Sequence, residues 1–542
     1  MAMRRDIGLV GLTFVAVSGV LGSGWLFAPM LASHLAGPSA ILAWAIGAVA
    51  MLLLAMAFAE VTALFPVAGG IARIPQFSHG RLLAMVMGWS AWAGYCSTAP
   101  IEVEASLRYA SHFIPWLHTG EDGSLGVAGM IAAAVLLMVF TVINAFGVQW
   151  FARINTTMTW FKIIVPVVFV VAIISAEFTP ANFTDYGGFM PYGASGVFAA
   201  VASGGIAFAF AGFRHAIDMA GEARNPQRTI PAALILALII CLVIYGGIQI
   251  AFTGAIQPDA LSGGWSDLTL AHTHGPLGAL AAALGILWLV SLLNVAAVVA
   301  PLGGGLVSVG SNSRLAMAMA NNGVFPGLFA RLNAFGVPLE ALILNYFVSL
   351  VMLFAMPFGE IVALNGSALV LSFVVGPIAV IALRRLAPEA PRPFKLPAAE
   401  LLAPLAFAIA TLLVFWSGWD TTWRLLLLLA VGMILFLVRI AVIGREWLNP
   451  RGIYWFLPYI TGLAALSYFG TYGGGIGVIP APIDSLLTAC LGLVCFNFAV
   501  QCRLDGDQFQ AFLEDEEIDD VIEYGHRDPG EKFINLRTTD DK

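Results

Sequence analysis

Apolar residues run along this chain in long blocks separated by short polar loops, from Ile7 to Val500. Blocks of roughly 18 to 25 apolar residues are long enough to cross about 30 Å of hydrocarbon as helices, and the pattern predicts about fourteen of them. A first group of five covers residues 7–32, 38–64, 82–110, 126–146 and 153–176. A second group covers 195–222, 229–255, 277–318, 339–357 and 361–383, and four more follow at 400–418, 423–443, 453–470 and 484–502. The first block continues to Ala32 without a short apolar region and cleavage site, so it reads as a retained span.

Two blocks break their own pattern. SGVLGSGWLFAP (Ser18 to Pro29) places Gly19, Gly22 and Gly24 at mid-span, and SGGIAFAFAGFRH (Ser203 to His215) does the same in the sixth span before putting Arg214 and His215 at membrane depth. Each glycine inside a helix costs about 1 kcal/mol relative to alanine, so such clusters predict interrupted helices. Interruptions at corresponding places in two groups of five spans are the signature of an inverted-repeat transporter, whose discontinuous helices meet near the bilayer midplane. Unwound backbone survives at that depth only where it is buried in protein or lines a cavity. Amides around Gly22, Ser23 and Gly24, at the positive end of the following half-helix, suit a carboxylate. Carbonyls around Ser18 and Gly19, and around Phe208, Ala209 and Ala211, suit an ammonium group. Together they describe an amino acid. The alternative is that the glycines only permit close helix packing.

Composition agrees with a membrane protein: of 542 residues 60% are hydrophobic and 11% charged, where soluble proteins carry about 25% charged. The net charge of -7 reflects an acidic run, LEDEEIDD (Leu513 to Asp520), that reads as a solvated appendage or a short surface helix. Arginines fall in every second loop: Arg4 and Arg5, Arg73 and Arg81, Arg153, Arg224 and Arg228, Arg314 and Arg331, Arg384 to Lys395, Arg445 and Arg451. Intervening loops hold Glu121, Asp122, Glu177, Asp185, Asp259, Asp267 and Asp484. The positive-inside rule then puts both termini in the cytoplasm. The five cysteines show no metal-like spacing and read as buried apolar thiols.

GVLGSGWLFAP, AGGIARIPQFSHG (Ala68 to Gly80), PIEVEASLRYA (Pro100 to Ala110), AGEARNPQRTIPAA (Ala220 to Ala233) and SRLAMAMANNGVFP (Ser313 to Pro326) together resemble the amino acid, polyamine and organocation transporter superfamily. RPFKLP (Arg392 to Pro397), WSGWDTTW (Trp416 to Trp423) and SYFGTYGGGIGVIPAPID (Ser467 to Asp484) resemble its aspartate/glutamate transporter branch, described as aspartate-proton symporters. The resemblance runs from about residue 6 to 502. It implies an all-α integral membrane protein with a LeuT-like 5+5 inverted repeat, about fourteen transmembrane helices, and broken first and sixth helices. The expected division is a cytoplasmic segment 1–6, a transport core 7–383 made of repeats 7–176 and 195–383, two added helices in 400–443, a C-terminal pair in 453–502 and a tail, 503–542.

Ionisable groups at membrane depth mark function by default. Lys162 is the only lysine before Lys395. In many proton-coupled members of the superfamily a lysine here replaces a sodium ion, so the resemblance implies that Lys162 is the proton-coupling group; the alternative is a lysine snorkelling to the cytoplasmic surface. Pro301 and Gly303 to Gly305 are expected to interrupt the eighth span near it. Glu104 and Arg108 stand four apart, the spacing of an ion pair on one helix face; Glu102 points elsewhere and is a second candidate for coupling or gating. Arg214 either receives an acidic side chain from the substrate or pairs with Asp218. His215 is a titratable or a structural histidine. Glu222 and Arg224 open a cytoplasmic loop as either a salt-bridged gate or solvated charges.

The sequence therefore reads as a secondary transporter for proton-coupled uptake of aspartate or glutamate. A neutral amino acid carrier, an antiporter, and a membrane nutrient sensor that binds without transporting are the alternatives. Its partners are an amino acid, protons and the bilayer, in the plasma membrane of a bacterium; oligomeric state is left open. No nucleophile, base and orienting group recur at a recognisable spacing, no Gly-rich nucleotide loop appears, and the reading calls for no cofactor, metal or nucleic acid.

Overall fold

The computed structural model describes residues 6–67, 69–110, 113–117, 125–146, 148–202, 204–268, 270, 275–390, 392–443 and 449–513. The acidic run beyond Leu513, Ser203, Glu121, Asp122, Arg4, Arg5 and Arg445 lie outside them.

Helices form at each predicted block. The first block is α1 (Leu9–Val20) and α2 (Gly24–Ala36), followed by α3 (Ala40–Leu64), a short helix α4 (Gly70–His79), α5 (Arg81–Ala110), α6 (Val127–Ala145) and α7 (Val148–Ala176). The sixth block splits into α8 (Gly193–Ala202), α9 (Ile206–Phe210) and α10 (Arg214–Asp218); α11 (Pro226–Ala255), α12 (Gly275–Ala283), α13 (Leu287–Asn321), α14 (Leu339–Ala355), α15 (Phe358–Phe373) and α16 (Val375–Leu386) follow. The chain continues through α17 (Ala399–Trp416), α18 (Trp419–Ile443), α19 (Phe456–Phe469), α20 (Ile483–Gln501) and α21 (Gly506–Leu513). Among the described residues nine helices are long and apolar enough to cross a membrane, or ten with the bent pair Gly193–Ala202 and Ile206–Asp218 taken as one span. Large apolar side chains on their outer faces, such as Val171, Val243, Val351, Ile434 and Val438, are exposed, as a lipid-facing surface requires.

Both predicted breaks are present. At the first, Leu21 leaves helical geometry, Gly22 N bonds Val20 O at 2.9 Å, and α2 starts afresh at Gly24. At the second, Gly205 has φ +83° and the two halves are inclined by 43°. A left-handed φ suits glycine because it has no Cβ to clash. This break falls between the end of α8 at Ala202 and the start of α9 at Ile206, ahead of Phe208 and Ala209, which are helical; Ala211 to Phe213 form a tighter 3-10 turn.

The eighth block corrects its expectation. Pro301 and Gly303 to Gly305 lie inside the continuous helix α13, and the interruption falls earlier, at Leu284 to Ile286. The glycines serve packing: a Cβ on Gly303 would meet Lys162, one on Gly304 would meet Glu102, and one on Gly305 would meet Phe140.

The broken helices are held at the centre of the bundle. The carbonyl of Val20 accepts from the Tyr245 hydroxyl at 2.6 Å, and Tyr245 packs on Trp44 and Phe210 with ring centres 4.6 and 5.3 Å apart. The buried Trp44 indole is satisfied by Gln249 Oε1 at 2.9 Å. α1 and the sixth block cross where glycine meets glycine: a Cβ on Gly212 would run into the backbone of Gly19 and Val20.

The face that carries the N-terminus is tied together by backbone contacts. Ile7 N bonds Glu222 O at 3.0 Å and Arg224 N bonds Ile7 O at 2.8 Å, a two-residue parallel bridge that ties the start of the chain to the end of the sixth block. On the same face the loop after α16 is gathered by Glu60, which accepts from Arg384 at 2.8 and 2.7 Å and from Leu396 N at 2.7 Å. That contact gives the RPFKLP motif a structural role.

Candidate functional site

Lys162 is 1% exposed, which excludes snorkelling. Its Nζ donates to Ser18 O at 2.7 Å and to Ser18 Oγ at 3.1 Å, and its stem lies over Gly303. The carbonyl of Ser18, expected to be open to a ligand, is thus occupied by the chain itself. Gly19 also serves packing, since a Cβ there would meet the His215 ring.

Glu102 enters the first break from α5. Its Oε2 accepts from Ser23 N at 3.0 Å, and its carboxylate lies against Gly22 and Gly304. The start of a helix leaves amides without intrahelical partners and favours negative charge. Here a side chain of the protein sits on the Ser23 amide, while the Gly22 amide is turned onto Val20 O. Gly24, first residue of α2, faces Ala209.

A cavity of about 480 Å³ opens above the two breaks, on the side away from the N-terminus. Ser23, Gly24, Ala28, Gly204, Gly205 and Phe208 come from the broken helices; Ile101, Ala105, Arg108 and Tyr109 from α5; Asn294 from α13; and Phe358 and Val362 from α15. Its size falls in the range of about 300 to 1,000 Å³ usual for small-molecule pockets. Of the predicted residues the structure brings Ser23, Gly24, Phe208 and Arg108 to this wall. Asn294, Tyr109 and Phe358 were not singled out in the sequence; Asn294 could have been, as a lone amide within an otherwise apolar stretch.

Glu104 and Arg108 form the expected ion pair, with Arg108 Nη2 to Glu104 Oε1 at 2.9 Å. Arg214 does not line the cavity. It is buried on the N-terminal side of it, its guanidinium 4.4 Å from the Tyr95 ring centre and its Nη2 donating to Thr98 Oγ1 at 3.0 Å. Ala211 O accepts from Arg214 Nη1 at 3.5 Å. Among the described residues no ion pair joins Arg214 to the buried Asp218. His215 Nδ1 is hydrogen-bonded to Ser311 Oγ, which gives it a fixed structural contact.

Below this cluster, Arg314 Nε contacts Glu222 Oε1 at 2.6 Å with both side chains nearly fully buried. Arg224 instead faces Asp6 at 3.7 Å in an exposed position. The loop charges thus divide into one buried pair that closes the N-terminal face and one solvated pair.

Comparison with known proteins agrees with this architecture. The chain is 35% identical over 512 residues to the glutamate/serine transporter AimA of Bacillus subtilis (strain 168), covering 92% of this chain and 94% of the relative. It is 32% identical over 502 residues to the aspartate-proton symporter of the same organism, covering 92% and 96%. It is 26% identical to the branched-chain amino acid permease BcaP over 80% of this chain and 93% of the relative. The amino acid permease family matches residues 7–438, and with that match, two broken helices and a cavity between them, the chain belongs to the amino acid permease family of membrane transporters.

Proposed function

We propose that the protein imports an acidic amino acid, aspartate or glutamate, together with protons, by alternating access at the junction of the two broken helices. The observation that carries this reading is the buried Lys162 ammonium on the Ser18 carbonyl, 2.7 Å away, at the end of α1. A cation there fixes α7 to the broken helix without a metal ion, and proton loss weakens that tie at the point where the helix must move. Glu102, on the Ser23 amide beside it, is the second proton-responsive group.

The substrate carboxylate lies at the Gly24 amide and the positive end of α2, with its ammonium toward the Phe208 side of the cavity. Arg214, His215 and Asp218 lie on the route taken once the N-terminal face opens. That face is cytoplasmic, as the arginine distribution supports, so the cavity opens outward and both termini are inside the plasma membrane of a bacterium. The unit of transport is residues 7–383 with two five-helix repeats, and four further helices complete a set of fourteen. One relative named for aspartate-proton symport and another named for glutamate and serine support an acidic substrate; the second supports a pocket that also admits serine.

Purified protein in sodium-free proteoliposomes tests the reading. Labelled aspartate or glutamate should accumulate under an inward proton gradient; an absolute sodium requirement, or no accumulation, would overturn it.

A further inference from the structure

The wall of the cavity carries one charged side chain among its described residues, Arg108. Its guanidinium lies 4.6 Å from the centre of the Phe358 ring, itself part of the wall. Glu104 holds it from behind: Arg108 Nε and Nη2 both donate to the single oxygen Oε1, at 3.2 and 2.9 Å. The arginine side chain is 30% exposed and the glutamate 8%, and Glu104 does not line the cavity. The pair is therefore a dipole with its positive end toward the cavity. A fixed partner also sets the plane of the guanidinium, which lowers the ordering cost of a contact with a carboxylate in the cavity.

Arg108 and Gly24 both line this cavity. Arg214, the residue that the sequence offered for an acidic side chain, is 2% exposed and outside it. We infer that Arg108 is the specificity-determining residue of the cavity, receiving the side-chain carboxylate of aspartate or glutamate while the main-chain carboxylate sits at the start of α2. This rests on the reading of the cavity as the amino acid site. Glu104 acts through Arg108 as a positioning residue, and Phe358 supplies the aromatic face on which the guanidinium is held.

The test is competition in proteoliposomes containing the full chain, with labelled serine as the reporter. In the wild-type protein, unlabelled glutamate should compete at a concentration about tenfold or more below that of glutamine, its neutral isostere, because a charge-assisted contact is at stake. Arg108→Lys should keep the sign of the preference but reduce it, because an ammonium cannot reproduce the forked, ring-stacked contact. Arg108→Gln combined with Glu104→Gln, which removes the pair without leaving a lone charge, should lose it, with the KM for glutamate rising far more than that for serine. Equal competition by glutamine in the wild type, or an unchanged glutamate-to-glutamine ratio in the double variant, overturns the inference. A parallel fall for all substrates means a structural role only and overturns it as well. Failure of the underlying reading looks different: Ala105→Trp, which fills the cavity, would then leave all amino acid uptake intact.

Discussion

Glu102 accepts a hydrogen bond from Ser23 N at 3.0 Å, joining residues 79 positions apart at the point where α1 stops and α2 begins. An N-terminal helix end is an anion site by construction. Here the protein supplies one carboxyl group itself, so the Ser23 amide at this helix end is already occupied by Glu102. Lys162, on the other side of the break, holds the carbonyl end of α1. The two ends of the broken helix are thus met by a carboxyl group from α5 and an amine from α7.

Glu102→Ala leaves the Ser23 amide buried without its partner, which costs about 1 to 3 kcal/mol. Glu102→Gln keeps an acceptor oxygen for that amide and should be less destabilising. Thermal unfolding of the two variants in the same detergent checks this order. Equal losses would show that the bond contributes little.

Lys162→Ala removes the charge and both bonds to Ser18. Gradient-driven accumulation of aspartate should fall to background, while binding or exchange down a concentration gradient persists in part. Measuring concentrative uptake beside counterflow in one proteoliposome preparation separates these outcomes. Undiminished accumulation would exclude Lys162 from coupling.

The glycines at the helix crossing make a stability prediction. Gly212→Ala puts a methyl group into the backbone of Gly19 and Val20, so α1 and the sixth block must part. Overpacking of this kind costs about 1 to 3 kcal/mol or more. Gly246→Ala on α11 meets nothing within 4 Å and should be neutral or slightly stabilising. The yield of monodisperse protein for the two variants gives the comparison.

Some of this was legible in the chain, and the reasons are physical. A glycine cluster inside a span is a local signal, so the breaks in α1–α2 and α8–α9 were found, although the second lies a few residues before the expected one. The Glu104–Arg108 pair follows from spacing on one helix. Pro301 and Gly303 to Gly305 look locally the same as a break, yet they sit in an intact helix. Only the approach of Lys162, Glu102 and Phe140 from other helices explains the three glycines. The same limit hid the occupation of the Ser23 amide by Glu102, the burial of Arg214 away from the cavity, and the pairing of Glu222 with Arg314 across 92 residues. Contacts set by tertiary packing leave no periodic trace in sequence.

The Glu222–Arg314 pair predicts a measurable coupling. Arg314→Ala strands a buried carboxylate, a loss of about 3 to 5 kcal/mol. Adding Glu222→Gln should recover a large part of it, because the stranded charge is gone. A double-mutant cycle on thermal stability reads the interaction directly. Additive losses would remove the pair from the closure of the N-terminal face, leaving the Ile7–Ala223 bridge to hold it.

His79 gives a pH dependence outside the spanning helices. It ends α4, fully buried; its ring nitrogens contact Ser78 Oγ at 2.8 Å and Ala499 O at 2.9 Å, and Leu504 N bonds Ser78 O at 2.9 Å beside it. The C-terminal segment around residues 499–504 is thereby docked on α4. Burial is the main cause that lowers the His79 pKa from 6.5 to about 4, with Arg503 adding to it and the Ala499 contact opposing. A folded state that holds this imidazole neutral binds fewer protons than the unfolded chain between those two values. The docking therefore contributes fully above about pH 6.5, weakens as pH falls toward about 4, and loses nothing further below that. Stability measured against pH should drop across that window in the wild type, with a shallower slope in His79→Gln. Hydrogen exchange of residues 499–509 should rise over the same interval, and identical profiles for the two proteins would show that His79 does not set it.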